Sequence, residues 1–173
     1  LRALEALQLH GPEPDLGMLN RLLKDGNAAM RAQGVFLLGA YPLKASRRPL
    51  AEALDDEDPT VQRRAAEALV RAGLSSKGAR RADRRLAKSL IGLLDHDDRF
   101  VRYSARQALR RVKRSYWEDQ ALAINAEKRP EAAMEGLLAL VLTAENAKDS
   151  DTIFDRLEVL SDTELSEVVM LLY

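Results

Sequence analysis

Apolar residues recur along this chain at three- and four-residue steps, in short blocks separated by acidic turns, and the blocks themselves repeat. Residues 54–71 read LDDEDPTVQRRAAEALVR and residues 94–111 read LDHDDRFVRYSARQALRR. Leu54, Asp55, Asp58, Val61, Ala65, Ala68 and Leu69 thus fall on Leu94, Asp95, Asp98, Val101, Ala105, Ala108 and Leu109, forty positions further on. Val101, Ala105, Ala108, Leu109 and Val112 mark one face of a helix, and that face is core.

The pattern extends past these two copies. Counting 31 positions back from Val61 reaches Met30, where Asp25, Arg31, Gly34, Leu37 and Leu38 occupy the slots of Asp56, Gln62, Ala65, Ala68 and Leu69. Counting 31 forward from Val101 reaches Ala132, with Pro130, Gly136, Ala139 and Leu140 in register. A degenerate fifth unit follows, with Ile153, Leu157 and Leu160 on one helix and Leu165, Val168, Val169 and Leu172 on the next. A helical repeat of this length predicts an all-α fold, a right-handed α-solenoid of four to five helix pairs. The expected units are roughly 15–41, 46–73, 83–114, 116–146 and 149–173, in a single domain over 1–173.

The turns carry their own start signals. Asp58 before Pro59 predicts a helix N-terminus, because the carboxylate caps orphan backbone N–H groups and proline lacks a donor that would have had no partner there. Asp98 and Asn27 take the same slot. Small residues at Ala65, Ala105, Gly34 and Gly136 predict close approach of the second helix of a unit to its neighbour.

Composition agrees with helix packing through alanine and leucine: 46% of the 173 residues are apolar and only 5% aromatic. The chain has no cysteine, which excludes disulfides, thiolate zinc sites and cysteine nucleophiles. No apolar run reaches the length of about 18 residues that a membrane helix needs, so no membrane contact is expected. The chain opens at Leu1 and stops within the apolar run SEVVMLLY, which suggests a piece of a longer protein.

The segment DEDPTVQRRAAEALVRAG resembles a HEAT repeat of the short bacterial type related to phycobiliprotein lyases, whose usual wording is Asp, Pro, Asp, Pro, any residue, Val, Arg, a small residue and an Ala-Leu pair. The likeness covers most of Asp15 to Leu142 and implies a scaffold. Members often carry an Asp and Arg ladder between units. Here Gln62 stands at an Arg position and His96 at an Asp position, leaving Asp56 and Arg102 as the surviving pair for a contact between repeats.

DRFVRYSARQALRRV, followed by Trp117, Ala121 to Ala123, Asn125 and EGLLAL at Glu135 to Leu140, is also similar to the HEAT segment of large bacterial dehydrogenase and c-type cytochrome multidomain proteins. That likeness implies an exported or periplasmic redox parent with this segment as spacer or docking module; without it, a cytoplasmic location is expected. No CxxCH haem motif occurs in the sequence, and no cofactor is expected.

Net charge is zero, but it is unevenly spread. Residues 77–114 hold thirteen Lys or Arg against four Asp or Glu, and residues 115–173 hold four against thirteen. Arg99, Arg102, Arg106, Arg110 and Lys113 recur at helical steps as one stripe. The family likeness implies that this stripe faces a groove. Before it, SSKGARRADRR at 75–85 adds Lys77, Arg80, Arg81, Arg84 and Arg85 in what reads as an exposed loop.

Three readings of the stripe stand side by side. It is a solvated face neutralised by the acidic C-terminal units or an adjacent domain. It is a groove for an acidic protein segment. Or it tracks nucleic-acid phosphates, in which case binding falls steeply with salt. Arg102 and Arg106 are expected at the surface, so that charge reversal there leaves folding intact.

The remaining constellations have simpler accounts. Asp55, Asp56, Glu57, Asp58 and Asp95, His96, Asp97, Asp98 resemble cation sites in composition but lack the Gly and the distal Glu of an EF-hand loop. Turn and capping chemistry explains them, and no metal is expected. His10 and His96, the only histidines, have no partner at metal or catalytic spacing. Trp117 reads as a packing residue or as an aromatic anchor for a partner. No nucleophile motif or phosphate loop appears, so the expected role is a non-catalytic interaction or spacing module inside a larger bacterial protein. The alternative is a nucleic-acid binder using Arg99, Arg102, Arg106 and Arg110.

Overall fold

Each acidic turn starts a helix as its sequence demands. Asp58 Oδ1 accepts from the backbone N–H of Thr60 at 2.8 Å, and Asp98 Oδ1 accepts from that of Phe100 at 2.7 Å. Asn27 Oδ1 caps Ala29 at 2.9 Å in the same way, and Pro59 is the first helical residue after Asp58. These contacts satisfy donors that a helix N-terminus otherwise leaves bare.

The computed structural model describes residues 2–41, 46–72 and 80–161. Among the described residues all regular structure is helical: α1 (Arg2–His10), α2 (Leu16–Leu22), α3 (Ala28–Ala40), α4 (Arg47–Ala53), α5 (Pro59–Ala72), α6 (Arg80–Leu93), α7 (Arg99–Leu109), a short 3-10 turn (Arg114–Tyr116), α8 (Glu118–Leu122), α9 (Pro130–Val141) and α10 (Ala147–Ser161). The helices fall into two compact units, Leu1–Lys77 and Gly78–Tyr173. Each unit stacks helical hairpins, the construction of an α-solenoid.

In the first unit α2 packs on α3, α4 on α5, and α3 lies along α5. Two glycines set these approaches. A Cβ on Gly34 would stand 2.8 Å from Leu22 Cβ, and one on Gly39 would stand 2.6 Å from Ala68 Cβ and 2.8 Å from its Cα. Gly34 was legible as a small position in the repeat; Gly39, where α3 meets α5, was not. Leu37, Leu38, Leu50, Val61, Ala65 and Leu69 are fully buried in the layer that results.

In the second unit α6 packs on α7, α8 on α9, and α9 contacts both α7 and α10. Leu86, Leu90, Leu94, Val101, Leu109 and Leu140 fill its core. Trp117 is buried, with its indole Nε1 donating to the Val112 carbonyl at 3.2 Å, so it packs inside the unit. α10 carries Ile153, Leu157 and Leu160, of which Leu160 is buried and Leu157 exposed. The second helix expected for the fifth unit, with Leu165, Val168, Val169 and Leu172, lies outside the described residues.

One expectation about this unit is corrected. The loop read over 75–85 is helical from Arg80 onward, because α6 begins there. Leu86, Ala87, Leu90 and Ile91 are buried at helical spacing, and arginine is a good helix former, so the burial pattern extends the helix back through the basic run.

Candidate interaction site

The repeat turns share a hydrogen-bonding device that decides what the nearby arginines are free to do. In three turns the residue at the acidic slot accepts from the backbone N–H two residues on: Asp25 Oδ1 from Asn27 at 2.8 Å, Asp56 Oδ1 from Asp58 at 2.9 Å, and His96 Nδ1 from Asp98 at 2.9 Å. In the same three turns the side chain six residues on reaches back to the carbonyl. Arg31 Nη1 donates to Asp25 O at 3.0 Å, Gln62 Nε2 to Asp56 O at 2.7 Å, and Arg102 Nη1 to His96 O at 2.7 Å. Gln62 and His96, read as breaks in a ladder, therefore keep the half of the device that closes their own turns.

The other half joins repeats. Arg31 donates from Nε to Asp56 Oδ2 at 2.8 Å and from Nη2 to Asp56 Oδ1 at 2.9 Å, a two-pronged contact largely removed from solvent. Burial, the largest single influence, pushes the Asp56 carboxyl up. It is outweighed by the hydrogen bonds from Arg31 and the Asp58 N–H together with the Arg31 charge, so the group sits below the ordinary aspartate value. The bond to Asp56 likewise raises Arg31 above the usual guanidinium range. Asp56 thus has Arg31 where Arg102 was expected, and Arg102 is engaged within its own unit.

That engagement reshapes the basic stripe. On α9 the carboxylate of Glu135 is buried, and it faces α7, where Arg106 Nη1 donates to its Oε2 and Arg102 Nε lies 4.0 Å from its Oε1. Arg102 and Arg106 are half-buried, which corrects their expected surface position: an arginine at each end of a turn of α7 is drawn inward by one buried carboxylate. Arg114 is used similarly, donating from Nη2 to Glu118 at 2.7 Å and lying 3.4 Å from Asp149. The acidic C-terminal segment therefore neutralises part of the basic one through named pairs.

What remains outside is a different surface. Arg102 and Arg106 reach Glu135 on α9, whereas Phe100, Tyr103 and Arg110 are exposed. Phe100 is 51% and Tyr103 52% exposed, high values for aromatic rings in a chain that has so few. The Arg99 guanidinium lies 4.8 Å from the Phe100 ring centre, and that of Arg106 lies 5.2 Å from the Tyr103 ring. Arg110 is exposed and bonds only to Gln107, at 2.9 Å, among the described residues. Lys113 and Arg84 approach the Tyr116 ring at 5.9 and 5.5 Å.

Of the expected basic loop, Arg84 and Arg85 are exposed on α6, Arg80 and Arg81 contribute helical backbone, and Lys77 lies outside the described residues. Sequence reasoning missed Phe100 and Glu135, and each left a signal. Phe100 occupies the slot of exposed Thr60, and Glu135 is the one charge within EAAMEGLLALV after its first residue. Among the described residues no group of three or more His, Cys, Asp or Glu is placed to hold a metal ion, and no helix is long and apolar enough to cross a membrane.

A family model for HEAT repeats matches residues 16–110, more than half of the chain and including the turns, ladder and first basic helices described above. The chain belongs to the HEAT-repeat family. Such repeats generally form scaffolds for protein–protein interaction and are typically non-catalytic. No curated protein matches the chain.

Proposed function

We propose that this chain is a non-catalytic interaction and spacing module of a larger bacterial protein, and that its α7 surface meets a protein partner or an adjacent domain of the parent chain. The observation that carries the reading is the exposure of Phe100 and Tyr103 on α7, whose remaining apolar residues, Val101, Ala105, Ala108 and Leu109, are buried. Exposed aromatics flanked by arginine are the composition of protein interfaces, where rigid rings supply contact area at low entropic cost. The finer reading is an exported redox parent, for which the wording of residues 98–140, read as resembling the HEAT segment of dehydrogenase and cytochrome multidomain proteins, is the sole support.

Phosphate tracking is the weaker alternative. Of the four arginines assigned to it, Arg102 and Arg106 are committed to Glu135, which leaves Arg99 and Arg110. Photo-crosslinking from a benzoylphenylalanine placed at Tyr103, in cells that express the full reading frame, tests the proposal. A discrete protein adduct, or an intramolecular link to a flanking domain, is expected. Adducts to nucleic acid alone, or no adduct at Tyr103 beyond that at exposed Thr60, overturn it.

A further inference from the structure

Taking the α7 surface as an interaction site, we infer that its occupant is an acidic protein segment with an apolar centre, carrying carboxylates at both ends of about three helical turns. The inference deepens the scaffold reading and rests on it. Four observations lead to this chemistry.

The surface carries cations that no carboxylate pairs directly. Arg99 follows Asp97 and the capping carboxylate of Asp98 but has no ion pair among the described residues, and Arg110 bonds only to the neutral amide of Gln107. The carboxylates that neutralise the basic segment are spent elsewhere, Glu135 on Arg102 and Arg106 and Glu118 on Arg114. Charge complementarity therefore selects an anionic partner and rejects a basic one.

The stacking is directional. A guanidinium lying over a ring loses rotational freedom but keeps its N–H fork in its own plane, where a carboxylate is met two-pronged. Arg99 over Phe100, at 4.8 Å, is held in this way before any ligand arrives, which lowers the ordering cost of binding.

The apolar part lies between the charges. Phe100 and Tyr103 are a turn apart, and Arg99 and Arg110 bracket them. Arg99 and Arg110 are separated by eleven residues, or about 16 Å along a helix at 1.5 Å per residue. A partner helix that spans them needs acidic residues about three turns apart, with leucine-sized side chains between.

Geometry also favours protein over nucleic acid. Phosphates repeat along a strand with no apolar gap, whereas on this face two exposed rings lie between Arg99 and the cations Arg110, Arg111 and Lys113 at its far end.

The test is fluorescence anisotropy on the whole chain with an array of labelled fourteen-residue Glu/Leu helical peptides, carboxylates at both ends and leucines at the centre. The same peptides with lysine in place of glutamate, and a fourteen-nucleotide single strand, serve as competitors. Binding by the acidic set is expected, reduced at least tenfold by Arg99→Glu with Arg110→Glu and separately by Phe100→Ala with Tyr103→Ala. All four side chains are exposed, so unchanged thermal melting will verify folding. No acidic peptide binding more tightly than about 1 mM, equal binding of the lysine set, or tighter binding of the single strand overturns the inference. A protein adduct at Tyr103 combined with any of these results leaves the interaction surface standing and removes only its acidic occupant.

Discussion

Arg31 on α3 holds Asp56 in the turn before α5 through paired hydrogen bonds of 2.8 and 2.9 Å, and in the same pose its Nη1 closes its own turn on the Asp25 carbonyl at 3.0 Å. One side chain thus sets both the shape of a turn and the register of the next repeat. The planar guanidinium makes this feasible, since its fork meets a carboxylate on one edge and a carbonyl on another.

The pair carries a pH signature. The Asp56 carboxyl is held below its ordinary value in the folded chain, so its contribution is fully present above the unfolded aspartate value of about 4 and is lost as pH falls through the lower folded value. Stability therefore falls on acidification in that window. Asp56→Asn is expected to lower Tm at pH 7 and to shrink the difference in Tm between pH 7 and pH 3; thermal melts across pH read this directly. Arg31→Lys, which keeps the charge but not the fork, is expected to lower Tm at pH 7 as well.

Glu135 is the pivot of the second unit. Glu135→Ala leaves Arg102 and Arg106 half-buried without their carboxylate and is expected to cost about 3 kcal/mol in urea unfolding. In a double-mutant cycle Arg106→Ala and Glu135→Ala are expected to be strongly non-additive. Additive costs would mean that the two side chains act independently.

Glycine positions divide by their surroundings. Gly39→Ala drives a methyl into the backbone of Ala68 and is expected to destabilise by about 2 kcal/mol. Gly92→Ala, in α6 with nothing within 4 Å of the new methyl, is expected to stabilise by about 0.5–1 kcal/mol, because alanine loses less backbone entropy in a helix. Chemical denaturation of both variants decides the sign of each.

His96 acts as a turn acceptor. His96→Asp keeps an acceptor for the Asp98 N–H and adds a negative charge beside the N-terminus of α7, so stability equal to or above the parent is expected. His96→Ala removes the acceptor and is expected to cost about 1 kcal/mol. A chain insensitive to both would show that this turn does not depend on residue 96.

Much of the fold was legible because each repeat carries local signals. Asp58 and Asp98 cap the helices expected of them, and Val61, Val101, Leu69 and Leu109 are buried where their spacing put them. The basic stripe was legible as a helical row but not as two populations, since Arg99 and Arg106 have the same local sequence character. Each lies against a ring, and they differ in what stands opposite them: solvent for Arg99, the buried Glu135 for Arg106. The start of α6 was missed for a related reason. A run of arginines looks like a loop until the buried Leu86 and Leu90 require a helix beneath it.

By itself the sequence determined the repeat, the helix starts and the apolar layer, because caps and 3.6-residue periodicity act within a few residues of one another. The tertiary structure alone decided that Arg31 takes Asp56, that Glu135 draws in Arg102 and Arg106, and that Phe100 and Tyr103 stay outside. Charge pairing is set by which side chains packing brings within reach and how much water it removes, and neither is encoded in the spacing of residues along one chain.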